Sequence, residues 1–130
     1  MSMSENEKQV IIENAKFLED KGCVKNVEES SITYFLDGIE IIVGYEPYSV
    51  ESDIFIRFKK ENEVYDVGWI ACVRSDIHFN HDQRLETVLT LLSYVRENYD
   101  RILDIDYCRE SRRLVSEYIA RLKKEQKFCL

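Results

Sequence analysis

Apolar positions along this chain switch from a helical to an alternating spacing and back again. Val10, Ile11, Ala15 and Leu18 recur every three or four residues, with Phe17 widening the stripe. Ser4 and Glu7 stand at capping-box spacing ahead of that stripe, and Gly22 follows it where a left-handed cap belongs. The pattern predicts an amphipathic helix over residues 5–21. Residues 23–29 are mixed, and read as a loop or a short edge strand.

Alternation begins at Ser31-Ile-Thr-Tyr-Phe-Leu36, followed by the hairpin signal Asp37-Gly38 and by Ile39-Glu-Ile-Ile-Val-Gly-Tyr45. In this second run Ile39, Ile41, Val43 and Tyr45 share one face, opposite Glu40, Ile42, Gly44 and Glu46. The segment Glu46-Pro47-Tyr48-Ser49 breaks the run. Asp53 to Lys59 sets Ile54, Ile56 and Phe58 against Phe55, Arg57 and Lys59. Lys60-Glu-Asn-Glu63 then reads as a second hairpin loop. The run from Val64 to Arg74 holds the only tryptophan, Trp69, and is apolar on both faces. It predicts an inner strand with Trp69 buried beneath flanking helices and Cys72 as a small apolar strand residue.

Helical spacing returns over 83–99, with Leu85, Val88, Leu89, Leu92, Val95 and Tyr99 on one stripe and Asp82 as cap. A last helix over 107–126 carries Leu114, Val115, Tyr118, Ile119 and Leu122 on one face. Arg112, Arg113, Arg121, Lys123 and Lys124 lie on the other. The expected fold is α+β: a four-stranded antiparallel meander over 31–74, in the order αββββαα, with one N-terminal and two C-terminal helices mainly on one face. Residues 1–130 are expected to form a single domain, long enough for a core without metal or disulfide support.

Composition narrows the class. One proline and four glycines argue against long linkers. No run is long enough to span a bilayer, and the polar, acidic Met1-to-Glu7 start lacks the basic and apolar regions of a signal peptide, so cytoplasmic residence is expected. Cys23, Cys72, Cys108 and Cys129 form no CxxC pair, and free thiols are expected. The net charge is -7, with 15 acids against 7 bases in residues 1–66 and 10 against 11 in residues 67–130. An acidic front half repels nucleic acid and attracts basic partners.

Candidate chemistry is sparse. Asp76, His78, His81 and Asp82 form the one cluster with metal-ligand character, but a polar connecting loop explains it equally well, and neither a metal nor a cofactor is expected. No serine or cysteine sits in a nucleophile elbow, no glycine-rich phosphate loop occurs, and no catalytic residue is expected. Cys108, ahead of Arg109 at a helix start, has two readings: a thiol activated by its position, or a plain helix N-terminus with Tyr107 packed inward. Asp37, Glu40, Glu46, Glu51 and Asp53, together with Tyr34, Tyr45 and Tyr48, suit an acidic, tyrosine-rich recognition surface better than an acid–base pair.

The strand from Ile39 to Tyr48 with its Tyr45-Glu46 pair, the run Val67-Gly-Trp-Ile-Ala-Cys-Val-Arg74, and Asn98-Tyr99 followed by Tyr107-Cys-Arg-Glu-Ser111 resemble small cytoplasmic immunity proteins of bacterial polymorphic toxin systems. The similarity covers about residues 8 to 124. It implies a non-catalytic inhibitor of a cognate protein toxin, often a basic nuclease. Two other classes stay open: a small ligand- or metal-binding domain or enzyme using the His78/His81 loop, and a homodimeric structural or regulatory module pairing through a strand or the last helix.

Overall fold

The computed structural model describes residues 3–45, 52–78 and 83–129, without the side chains of 45, 52, 53 and 126–129. Helix α1 (Glu5–Asn14) starts at the expected capping box: the Glu7 amide donates to Ser4 Oγ at 3.1 Å, and the Ser4 amide to Glu7 Oε1 at 3.0 Å. The single helix expected over 5–21 is interrupted at Ala15, and α2 (Lys16–Asp20) continues beyond it. Asn14 Nδ2 donates to the Val10 carbonyl at 2.8 Å, and the Leu18 amide turns to Ala15 O at 2.9 Å. A side chain that competes for a helical carbonyl, followed by a tighter turn, accounts for the break.

Among the described residues the sheet has five strands, not four: β1 (Val24–Val27), β2 (Ser31–Leu36), β3 (Ile39–Tyr45), β4 (Ser52–Phe58) and β5 (Glu63–Asp66). They lie in chain order, each antiparallel to the next. Residues 23–29 thus resolve as an edge strand, held by pairing Val24 with Phe35 and Val27 with Ile32. Gly38 takes φ +77 in the β2–β3 turn, which pairs Leu36 with Ile39. At Gly44 a Cβ would stand 2.5 Å from the Ser30 carbonyl oxygen, so the approach of β3 to the start of β2 needs glycine.

The stretch expected as the inner strand is the largest departure. Only Glu63–Asp66 pairs in the sheet; Val67–Ser75 is helix α3. Asp66 caps it, accepting at Oδ1 from the amides of Gly68 (2.8 Å) and Trp69 (3.3 Å). Val67, Ile70 and Ala71 are buried at helical spacing, whereas Trp69 keeps 40 % of its surface exposed and meets Tyr118 edge-on at 6.3 Å. Tertiary packing overrides the β-propensity of Val, Ile and Trp here.

Helices α4 (Arg84–Glu97), α5 (Tyr99–Ile102) and α6 (Ile105–Cys129) complete the order ααβββββαααα. Asp104 Oδ1 accepts from the Asp106 amide at 3.0 Å, so α6 starts two residues earlier than its apolar stripe suggests. Helix α4 packs over β3 and β4 and α3 over β4; α1 packs on α4, and α6 on α3. The covered sheet face carries the buried rows Ile32–Val43–Ile54 and Tyr34–Ile41–Ile56–Tyr65. Removing each of those isoleucines from water contributes roughly 1.5–3 kcal/mol. No helix among the described residues is long and apolar enough to cross a membrane.

Candidate functional site

Pleating sends successive residues of a strand to opposite faces, so the register fixes what the other face presents. One row across it reads Val24–Phe35–Glu40–Arg57–Val64, and the next reads Asn26–Thr33–Ile42–Phe55–Asp66. Val24 is 67 % exposed, Val64 42 % and Phe35 37 %, while Ile42 and Phe55 are half-buried by their neighbours. Val24, Phe35, Ile42, Phe55 and Val64 thus share the face opposite the helix-covered rows, with the Glu40–Arg57 pair set between them. Exposed apolar residues that adjoin one another in this way mark contact surfaces.

The expected acidic, tyrosine-rich surface assembles only in part. Tyr34 does not belong to it: its side chain has no exposed surface and stands in the covered row beside Ile41. Its hydroxyl is buried with no hydrogen-bond partner among the described residues, and burial first, then Glu19 and Cys23, push its ionisation well above the usual tyrosine range. Glu40 lies on the open face but is only 8 % exposed; Arg57 Nη1 reaches it at 3.4 Å and Lys59 Nζ at 3.3 Å. Its charge is thereby neutralised locally. Asp37 is exposed at the β2–β3 turn. Tyr45 and Asp53 are placed in β3 and β4 by their backbone alone, and Glu46, Tyr48 and Glu51 lie outside the described residues.

The signal for the open face was present in the strand patterns. Ile42 and Phe55 interrupt the polar sides of their strands, and the register sets them directly opposite one another. An apolar residue on a polar strand face is a stronger pointer to contact than a carboxylate near a turn.

Elsewhere, the seam between β5 and α6 is strongly ionic. Arg109 forks onto Glu63, Nε to Oε1 at 3.2 Å and Nη2 to Oε2 at 2.6 Å, and Tyr65 donates its hydroxyl to the same carboxylate. The Arg109 hydrogen bond, then that of Tyr65, holds the Glu63 carboxyl down at about 2. Arg112 donates to the Val64 carbonyl at 2.6 Å and stacks 4.0 Å from the Tyr65 ring centroid. These contacts lock α6 to the sheet edge.

Of the two readings of Cys108, activation fails. The thiol is fully buried and donates to the Ile102 carbonyl at 3.2 Å; burial, then Asp104, pushes it up to about 12. Tyr107 is half-buried, with Arg74 4.4 Å from its ring centroid. Among the described residues no three His, Cys, Asp or Glu side chains gather as metal ligands; His78 is exposed, and His81 lies outside the described set. A cleft of about 410 Å³ opens between the β2–β3 turn and the start of α6, over Phe58 and Leu103. Its charged lining, Asp37, Lys60 and Glu61, is exposed to solvent, so no buried polar group converges there. No protein-family model, no curated protein and no solved structure matches the chain.

Proposed function

We propose that this chain is a non-catalytic binding protein of the immunity type, which occludes a basic protein domain by laying the open face of its sheet against it. The observation that carries this reading is the set of apolar residues on that face, Val24, Phe35, Ile42, Phe55 and Val64. Charge supplies the sign of the partner. Residues 24–66 hold ten acids against four bases, so -6 of the net -7 lies in that stretch of the sequence. Five strands about 4.8 Å apart and five residues long at about 3.3 Å each present roughly 400 Å². A stable complex covers about 800 Å² per partner. The sheet alone is too small, so the rim takes part, where Glu28, Glu29 and Asp37 are exposed at the turns. Apolar contact then supplies affinity, and the rim acids supply orientation and association rate.

Titration calorimetry of the full chain against the product of the adjacent reading frame tests this. Phe35→Lys and Phe55→Lys are expected to weaken binding at least about tenfold with unchanged circular dichroism. Reversing Glu28, Glu29 and Asp37 to Lys is expected to slow association and flatten its salt dependence. The absence of a complex, or full affinity in both Phe variants, overturns the reading.

A second reading, a homodimer pairing through α6, draws on the stripe of that helix. Leu114, Val115, Tyr118 and Ile119 are only half-buried, and Leu122 is 38 % exposed. Light scattering across a dilution series separates it from a monomer.

A further inference from the structure

Three side chains at the end of α3 form a relay that the binding role does not use. Cys72 Sγ lies 3.9 Å from His78 Nδ1, and His78 Nε2 lies 2.8 Å from Asp76 Oδ1. The backbone supplies the geometry. Asp76 ends α3 in the left-handed conformation at φ 54, its amide returning to Cys72 O at 3.0 Å, and the chain then doubles back so that His78 faces the helix it has just left. A carboxylate accepts only, so Nε2 carries the ring proton and Nδ1 presents its lone pair to the thiol. Nucleophile, base and orienting acid therefore stand in sequence, with the sulfur–nitrogen contact at the loose end of what unliganded sites show.

Surroundings favour access. Cys72 is half-buried, while the His78 and Asp76 side chains are 60 % and 93 % exposed. On the α6 side, Tyr118 meets Trp69 of α3 at 6.3 Å, and Arg121 lies 5.6 Å from the Tyr118 ring centroid. The other two described thiols are closed off: Cys23 and Cys108 are buried, and burial raises both. The imidazole has a definite task, to take the proton as the sulfur attacks.

We infer that Cys72, with His78 as base and Asp76 as the positioning residue, is a reactive thiol that is modified stoichiometrically by small disulfides. His78 Nδ1 accepts the Cys72 proton while Sγ attacks one sulfur of R–S–S–R. A Cys72–S–S–R bond forms, the original S–S bond breaks, and the leaving thiolate RS⁻ takes the proton from the imidazolium. The balance is protein–SH plus RSSR giving protein–SSR plus RSH.

The test is the rate of reaction of the full chain with an aromatic disulfide at pH 7, in a Cys129→Ser background, so that Cys72 is the only thiol other than the two buried ones. Mass spectrometry is expected to place one adduct on Cys72, and Cys72→Ser to abolish it. His78→Gln is expected to slow the reaction about tenfold, less than the 10²–10⁴ of an enclosed base because this pair is open to water. Asp76→Asn falls between the two. Free imidazole is expected to restore much of the rate to His78→Ala, which a merely structural role would not show. A His78→Gln rate within about twofold of wild type, a lack of rescue by imidazole, or first labelling at Cys23 or Cys108 overturns the assignment.

Discussion

Asp66→Ala tests the most consequential turn in this chain, the switch from β5 into α3. Asp66 holds an extended backbone, φ -89 and ψ 112, and its Oδ1 accepts one short hydrogen bond from Gly68 and one longer bond from Trp69. The helix it starts has nine residues, too few to persist alone, and carries Gly68 in its first turn, at about 1 kcal/mol relative to alanine. Loss of an N-cap carboxylate costs about 0.5–2 kcal/mol, and two accepted amides place Asp66 near the middle of that range, at about 1–1.5 kcal/mol. With an m-value of roughly 1–3 kcal/mol/M for urea, the midpoint falls by about 0.3–1.5 M at constant m. Asp66→Asn keeps the acceptor and loses only the charge near the helix start, so its cost is about 0.3–1 kcal/mol. Urea titrations followed by circular dichroism measure both variants. If Asp66→Ala stays within about 0.3 kcal/mol of wild type, Asp66 is not the cap, and the account of why Val67–Ser75 is helical fails with it.

Two further outcomes follow from buried and paired groups. Tyr34→Phe removes a hydroxyl that loses its water on folding and gains no partner among the described residues, so the variant is expected to be more stable by about 1 kcal/mol in the same titration. The wild type is also expected to lose stability above about pH 10, because burial holds the folded phenol neutral while the unfolded one ionises, and Tyr34→Phe is expected to lose less. Glu63 is held at about 2 by Arg109 and Tyr65, below its ordinary value of 4.5, so its contribution is present above the ordinary value and is lost as pH falls toward 2. Urea midpoints of wild type and Glu63→Gln are expected to differ by a steady amount at pH 5–7 and to converge between about pH 4.5 and 2. A gap that does not change with pH contradicts the pairing.

Local rules carried much of the fold. The Ser4–Glu7 box, the Asp37-Gly38 turn and the alternation of β2, β3 and β4 were legible because each rests on neighbours within a few positions. What was not legible depends on distant partners. β1 contains Lys25 and Asn26 and has little strand character of its own; pairing with β2 makes it a strand. Val64 to Arg74 fits a two-faced strand and an amphipathic helix alike, since its apolar residues fall on both strand faces while Val67, Ile70 and Ala71 also satisfy helical spacing. The decisive residue was Asp66, whose carboxylate two positions ahead of Gly68 is a start signal. The β-branched and aromatic residues that follow it favour a strand by propensity alone.

The candidate site was partly readable too, by parity alone. A two-residue turn at Asp37-Gly38 pairs Leu36 with Ile39, which puts Tyr34 opposite Ile41 and Phe35 opposite Glu40. Ile39, Ile41 and Val43 already formed the more apolar side of their strand, so Tyr34 had to face the core and Phe35 had to face away from it. The side chain of Tyr34 suits recognition, but the turn three positions later sets it on the core face. The same parity shows why the carboxylates gave an incomplete picture. Glu40 shares the open face with Arg57 directly across the β3–β4 pair and with Lys59 on the next row, and cross-strand neighbours of opposite charge neutralise one another. The charge left for a partner lies at the turns, Glu28, Glu29 and Asp37, where no strand stands opposite. A basic protein approaching this surface would meet acids at the rim and Phe35, Ile42 and Phe55 between them, the arrangement of an interface with a dry centre and a polar edge.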